Sequence, residues 1–280
     1  MTSAAVTMIG MPDTGKSSYL AALYHALTAP SGDTAPRLSR QPKARAYLEE
    51  LRQAWLRGEK PGRTSSDSGE LVQLEIDIPG TGGLSLAVPD IAGETFESVF
   101  VQRRADTAVT ELVRDADGLL LFTHPNHQRP RVPIAAMKRM QALAGDDDTP
   151  PTAGDDERPF DARAVPGEVQ LVDLLQWTDA VRRPRRSATR LSIVVSAWDR
   201  AGTRPPGEWL SRRMPMLDRY LQARPDDVLP RVYGVCAQGG DYDEDKGVAQ
   251  RRPAERAYAV LADGSRTDDL TLALRWAALG

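Results

Sequence analysis

Gly10-Met11-Pro12-Asp13-Thr14-Gly15-Lys16-Ser17 fills the pattern G-x-x-x-x-G-K-[ST] without a gap, and no other feature constrains the chain as tightly. A loop that wraps a phosphate needs glycine where the backbone bends or comes close. Successive N–H groups can then face the anion with a helix N-terminus behind them. That arrangement requires a strand before the loop and a helix after it. The flanks supply both. Ala4 to Ile9 is a short, mostly apolar run, and beyond Lys16 the residues Tyr19, Leu20, Leu23 and Leu27 recur at helical spacing. Lys16 is expected to reach the outer phosphates and the Ser17 hydroxyl to ligate magnesium. Asp13, Thr14, Gly15 and Ser18 complete the loop's expected contacts with the nucleotide.

Strands and helices alternate along the remainder. After a breaker-rich loop from Ala29 to Arg40, a helix is expected from Ala44 to Leu56 through Leu48, Leu51 and Trp55. Leu71 to Ile78 alternates polar and apolar residues, the pattern of a strand with one wet face. Leu84 to Val88 is its expected antiparallel partner. Then follow a helix over Ala105–Arg114, a buried strand over Gly118–Phe122 and a helix over Val169–Val181. A strand over Leu191–Val195, one helix from Glu208 to Gln222, a strand over Arg231–Val235 and a closing helix over Asp268–Leu279 finish the chain. This order predicts an α/β fold of three layers. Its sheet is mostly parallel with one antiparallel strand, and helices cover both faces.

With 280 residues, 41% of them apolar, the chain can bury a full core. One domain over residues 1–280 is expected, with insertions near 29–70, 145–166 and 239–266. The formal charge of −3 gives no bulk pull toward nucleic acid or an anionic membrane. The single cysteine, Cys236, permits neither an internal disulfide nor a multi-cysteine metal site. No apolar run is long enough to span a membrane. A cytoplasmic protein without nucleic acid as a partner is the expectation.

Three later segments sit where a nucleotide-binding sheet needs chemistry. In Leu86-Ala87-Val88-Pro89-Asp90 an acidic residue closes an apolar strand, and Gly93 and Glu94 follow. Asp90 suits the magnesium shell, and the Gly93 N–H suits a terminal phosphate. The second strand-end segment is Ser196-Ala197-Trp198-Asp199, where guanine-binding proteins carry [NT]-K-x-D. A carboxylate there accepts two hydrogen bonds from guanine's ring N–H and amine, whereas adenine presents a mismatched edge. Asp199 is the candidate for that role. Ala197 stands where a lysine stem would cover the base, and Trp198 either supplies aromatic surface instead or belongs to the core or rim. The third segment, Cys236-Ala237-Gln238, has the position of a loop whose backbone N–H meets the guanine oxygen.

In this order the segments resemble the Ras-like P-loop GTPase superfamily. The wording G-x-x-x-T-G-K-S-S-Y-L-A-A-L-Y, D-I-A-G-E and S-A-W-D is most similar to the bacterial double-GTPase type. The likeness spans most of Val6–Gln238, and its first two motifs are the specific ones. It implies that Lys16 and the loop backbone bind the β and γ phosphates. It further implies that Ser17 and Asp90 hold Mg2+, Gly93 senses the γ phosphate and Asp199 reads the base of GTP or GDP. Glu94 takes the place of the water-orienting glutamine. A carboxylate beside a terminal phosphate repels it, so slow intrinsic hydrolysis is expected, with a partner completing the site. Thr64 is the choice for the magnesium-sensing threonine of the first switch, with Ser65 and Ser66 as rivals. A role in a bacterial conflict or signalling system, beside a protein effector or second GTPase, is implied by the resemblance alone.

Two other readings stay open: an ATPase or phosphotransferase on the same loop, and a non-hydrolysing module that nucleotide stabilises. Three further patterns are set aside. Asp241–Gly247 hints at a calcium loop, but Lys246 stands where glycine is needed and Arg252 where glutamate is needed. His124 and His127 lack a carboxylate or thiol at ligand spacing. Arg182-Arg183-Pro184-Arg185-Arg186 lacks the interleaved aromatics of a nucleic-acid surface.

Overall fold

The computed structural model describes residues 3–60, 71–89, 94–127, 165–182, 188–245 and 247–279. In chain order its elements begin with β1 (Ala4–Ile9), α1 (Lys16–Thr28), β2 (Arg37–Leu38), α2 (Arg45–Leu56), β3 (Val72–Ile78) and β4 (Gly82–Val88). Next come α3 (Glu94–Gln102), α4 (Thr107–Asp115), β5 (Gly118–Thr123), α5 (Gly167–Val181), β6 (Thr189–Val195), α6 (Pro206–Arg213) and α7 (Pro215–Gln222). The last are β7 (Val228–Cys236), α8 (Pro253–Arg256), β8 (Tyr258–Val260), β9 (Arg266–Thr267) and α9 (Leu272–Leu279).

One sheet runs in the order β2-β3-β4-β1-β5-β6-β7-β8-β9. Its middle, β4-β1-β5-β6-β7, is parallel throughout. Strands buried on both faces must be apolar along their whole length, and all six residues of β5 are buried. β3 has the alternating pattern instead: Val72, Leu74, Ile76 and Ile78 are buried while Gln73 and Asp77 are exposed. It runs antiparallel to β4 from Val72 opposite Val88 to Ile78 opposite Gly82.

Helices cover both faces. On one side α1, α2 and α9 bury Tyr19, Leu23, Leu48, Trp55 and Leu274 against the sheet. On the other, α3 to α7 bury Phe96, Val113, Leu171, Trp209 and Leu217. Burying each such side chain contributes roughly 1.5–3 kcal/mol. The fold class is the one the sequence predicts.

The departures have local causes. The single helix expected over Glu208–Gln222 is broken at Met214 (φ −129°, ψ 58°), because Pro215 lacks an N–H and begins a new helix as its first residue. The helix expected from Ala105 starts later, since Asp106 caps α4 by accepting from the Ala108 N–H at 2.7 Å. α3 falls in a stretch to which the sequence assigned no element. Antiparallel strands extend both edges, with β2 outside β3 and with β8 and β9 outside β7. Among the described residues no helix is long and apolar enough to cross a membrane.

Candidate functional site

Open parallel sheets bind ligands beyond the carboxyl ends of their strands, where successive loops diverge. In this sheet the loops after β1, β6 and β7 touch one another at that edge.

The loop after β1 is shaped by its glycines. Gly15 has φ 86°, and a Cβ there would lie 2.8 Å from Ser196, so both the left-handed backbone and the close approach demand glycine. At Gly10 (φ 151°) a Cβ would come within 3.0 Å of the Phe122 carbonyl oxygen. Gly15 is also the N-cap of α1, and no side-chain cap bond closes that end of the helix. The positive end of α1 therefore faces the loop.

The loop's own side chains hold it closed. Thr14 Oγ1 donates to the Met11 carbonyl at 2.8 Å. The Lys16 ammonium, 2% exposed, folds back to donate to the carbonyls of Gly10 and Met11, both at 2.8 Å. Neutral carbonyls are weaker partners for an ammonium than phosphate oxygens, so a phosphate in the cradle can draw Lys16 toward itself. Asp13 is exposed at the loop tip with φ 56°, and Ser17 is half-buried.

Ser18 connects this loop to the one after β7: its Oγ accepts from Gln238 Nε2 at 3.1 Å. The loop after β6 turns at Ala197 (φ 44°, ψ 49°), a left-handed conformation that is strained for a residue with a Cβ. A single 3₁₀ turn, Trp198–Arg200, follows and presents the Asp199 carboxylate at the surface. Cys236 Sγ donates to Asp199 Oδ1 at 3.2 Å, and the Gly239 N–H donates to the same sulfur at 3.3 Å. Burial, then the charge of Asp199, pushes the Cys236 thiol up to about 12, so it remains a protonated donor near neutral pH.

The other sequence-selected residues are distributed unevenly. Trp198 lies in the core: a Cβ on Gly234 would fall 2.1 Å from its indole, and it meets Trp209 edge-on at 6.4 Å. Of the two roles open to it in the sequence, packing is the one its position serves. Ala237 is buried, and its carbonyl accepts from Trp55 Nε1 at 2.6 Å. Glu94 is exposed as the first residue of α3. Thr64, Ser65, Ser66, Asp90 and Gly93 lie outside the described residues, so Ser17 is the member of the expected magnesium set that the structure describes.

Among the described residues no group of three His, Cys, Asp or Glu side chains is arranged to hold a metal ion. The acidic stretch after β7 is neutralised by cations instead: Asp241 pairs with Arg200 at 3.1 Å, Asp243 with Lys60 and Asp245 with Arg251. His124 Nδ1 accepts from the Asn126 N–H at 3.0 Å.

Sequence reasoning missed Trp55 and Arg256 as members of this site. Trp55 reads as an ordinary core position of a helix, and Arg256 belongs to no motif. Arg256 is nonetheless 1% exposed and donates to the Gln238 carbonyl at 3.2 Å.

A family model described as Double-GTPase 1 matches residues 7–277 of the chain. No curated protein matches it. Among solved structures, the chain is similar to the signal recognition particle receptor SRb-GTP/SRX complex from Chaetomium thermophilum. That match has 14% identity and a TM-score of 0.36, over 84% of this chain and 90% of that one. It is similar to the Arl6 BBS3 small GTPase from Trypanosoma brucei with a bound nucleotide analogue, at 11% identity and a TM-score of 0.36, over 91% and 99%. It is also similar to the bacterial selenocysteine-specific elongation factor EF-Sec at 11% identity and a TM-score of 0.35. That match covers 89% of this chain, which spans 27% of the elongation factor's length.

Proposed function

The chain belongs to the Double-GTPase 1 family, and from that premise we propose that it is a magnesium-dependent GTP switch with slow intrinsic hydrolysis. It works beside a protein effector or a second GTPase in a bacterial conflict or signalling system. GTP binding itself comes with the family; magnesium, slow turnover and the partner are our reading.

The observation that carries it is the joining of three loops. Gly15 packs on Ser196, Ser18 is bonded to Gln238, and Asp199 to Cys236. One nucleotide can therefore have its phosphates at the glycine loop and its base at Asp199.

In this reading Lys16 and the N–H groups of Asp13 to Ser18 bind the β and γ phosphates, with α1 adding its positive end. Ser17 and Asp90 hold Mg2+, which neutralises phosphate charge when bound. Thr64 joins them as the magnesium-sensing residue of the first switch, and Gly93 senses the γ phosphate. Asp199 accepts from the guanine ring N–H and amine, and the loop at Ala237 and Gln238 meets the guanine oxygen. Glu94 sets the slow rate, because its carboxylate repels the terminal phosphate where a neutral amide would orient water.

Calorimetry on the full chain with GTP and ATP, each with and without magnesium, tests the assignment. GTP is expected to bind at least about tenfold more tightly than ATP, a margin of about 1.4 kcal/mol. Equal or tighter ATP binding removes the guanine reading. Glu94→Gln should raise single-turnover GTP hydrolysis by about tenfold while leaving GTP affinity within about twofold. An unchanged or lower rate removes the role given to Glu94.

A further inference from the structure

The loop after β7 is anchored by a helix that lies 182 positions earlier in the sequence. Trp55, in the last turn of α2, donates its Nε1–H to the Ala237 carbonyl at 2.6 Å. Arg256 donates Nε–H to the next carbonyl, that of Gln238, at 3.2 Å. Its terminal nitrogens donate to the carbonyls of Trp55 at 2.5 Å and Leu56 at 3.3 Å, and to the Tyr242 hydroxyl at 3.0 Å. The guanidinium also lies 4.3 Å from the centre of the Trp55 ring. Trp55 and Arg256 therefore fix each other and two consecutive carbonyls of the loop.

A buried charge is costly, and no carboxylate of the described residues lies within ion-pair distance of Arg256. Backbone carbonyls and aromatic rings satisfy it instead. An apolar side chain would fill the same space without that cost, but it would hold no carbonyl in direction. The peptide unit is planar and trans, so the direction of one C=O fixes the opposite direction of the following N–H. With the Ala237 carbonyl held toward α2, the Gln238 N–H must point away from it.

We infer that Trp55 and Arg256 are positioning residues for base recognition: through the Ala237 and Gln238 carbonyls they aim the backbone N–H that meets the guanine oxygen. The inference rests on the GTP reading above. Neither residue belongs to the phosphate loop, so their loss weakens the base contact and leaves the phosphate contacts in place.

The test is Trp55→Phe, which retains a six-membered ring against Arg256 and removes the N–H together with the five-membered part of the buried indole. Calorimetry on the full chain would use GTP, inorganic tripolyphosphate and 6-thio-GTP, in which sulfur replaces the guanine oxygen alone. Wild-type protein should prefer GTP over 6-thio-GTP. In Trp55→Phe the affinity for GTP should fall about tenfold, the value of one well-made buried hydrogen bond. That loss should bring the ratio of GTP to 6-thio-GTP affinity toward one. Tripolyphosphate binding and kcat at saturating GTP should stay within about twofold. Arg256→Lys keeps the charge but loses the fork, and it should shift GTP affinity in the same direction. Unchanged GTP affinity in Trp55→Phe, or equal weakening of all three ligands, overturns the inference while leaving the GTP reading intact. A wild-type protein that binds GTP no better than ATP overturns both.

Discussion

The two halves of the proposed site, one for phosphate and one for the base, are built in opposite ways. The bonds that close the loop from Gly10 to Lys16 join residues three to six positions apart: Thr14 to Met11, and Lys16 to Met11 and Gly10. The bonds that hold the base half span 18 positions from Arg256 to Gln238, 37 from Cys236 to Asp199 and 182 from Trp55 to Ala237. A strand, a loop and a helix supply these bonds of the first half, and the loop as a whole packs on Ser196 and Phe122 through its glycines. The second exists only when the sheet is complete and both α2 and the segment after β7 have docked. Phosphate binding should therefore respond to changes in local backbone geometry, and base selectivity to packing far from the ligand.

The largest effect should come from Gly15→Ala. Left-handed backbone costs an L-residue about 1 kcal/mol, and the new methyl would sit 2.8 Å from Ser196. The loop must shift, and a displacement of about 1 Å at an oriented site is worth about a hundredfold. Calorimetry should show GTP and tripolyphosphate affinity falling together by about that factor. Gly80→Ala isolates the strain, because Gly80 (φ 76°) has nothing within 4 Å of an added Cβ. It should lower stability by about 1 kcal/mol and leave nucleotide affinity unchanged. If both variants bind GTP equally well, the phosphate half is not defined by its local backbone.

A smaller and more selective loss should follow Gly234→Ala, near the C-terminal end of β7. A Cβ there falls 2.1 Å from the ring of Trp198, the residue before Asp199. Relieving the overlap should cost about 1–3 kcal/mol in chemical unfolding and displace the turn that carries Asp199. GTP affinity should fall about tenfold while tripolyphosphate binding holds. Equal losses for both ligands would mean that the two halves are mechanically one unit.

The same contrast explains what the sequence makes legible. A glycine loop between a strand and a helix leaves its mark in adjacent residues, as does the alternation of β3. The positioning of the base loop leaves none. Trp55 and Arg256 act on peptide carbonyls, and every residue offers one, so no side-chain pattern records the acceptor. The two-residue strands β2 and β9 are too short for any periodicity. In α6 and α7 the apolar spacing continues across Met214, and only the missing N–H of Pro215 marks the break. Trp198 was ambiguous for a related reason: its role depends on Gly234, which comes to it from another strand.

The smallest effect concerns Cys236, whose thiol holds Asp199 at 3.2 Å. Cys236→Ser retains a donor, and GTP affinity should change by no more than about threefold. Its pH behaviour is more telling. Burial, then Asp199, raises the folded thiol from 9.0 to about 12, so the unfolded chain gives up this proton first. Stability from the protonated thiol is therefore complete below about pH 9 and is lost as pH climbs toward the folded value. Serine has no proton to lose in that range. Unfolding free energies of wild type and variant, compared from pH 7 upward, should differ by a constant until about pH 9. By pH 10 wild type should have lost about 1 kcal/mol relative to Cys236→Ser. Tyr220, also pushed up to about 12, is present in both proteins and cancels in the difference. Tyr258, pushed up to about 12 by burial and then by Cys236, does not cancel, so both proteins are compared in a Tyr258→Phe background. A difference that stays level to pH 10 would mean that the thiol is neither buried nor held by Asp199. The carboxylate proposed to read the base would then lack the sulfur contact that links the loops after β6 and β7.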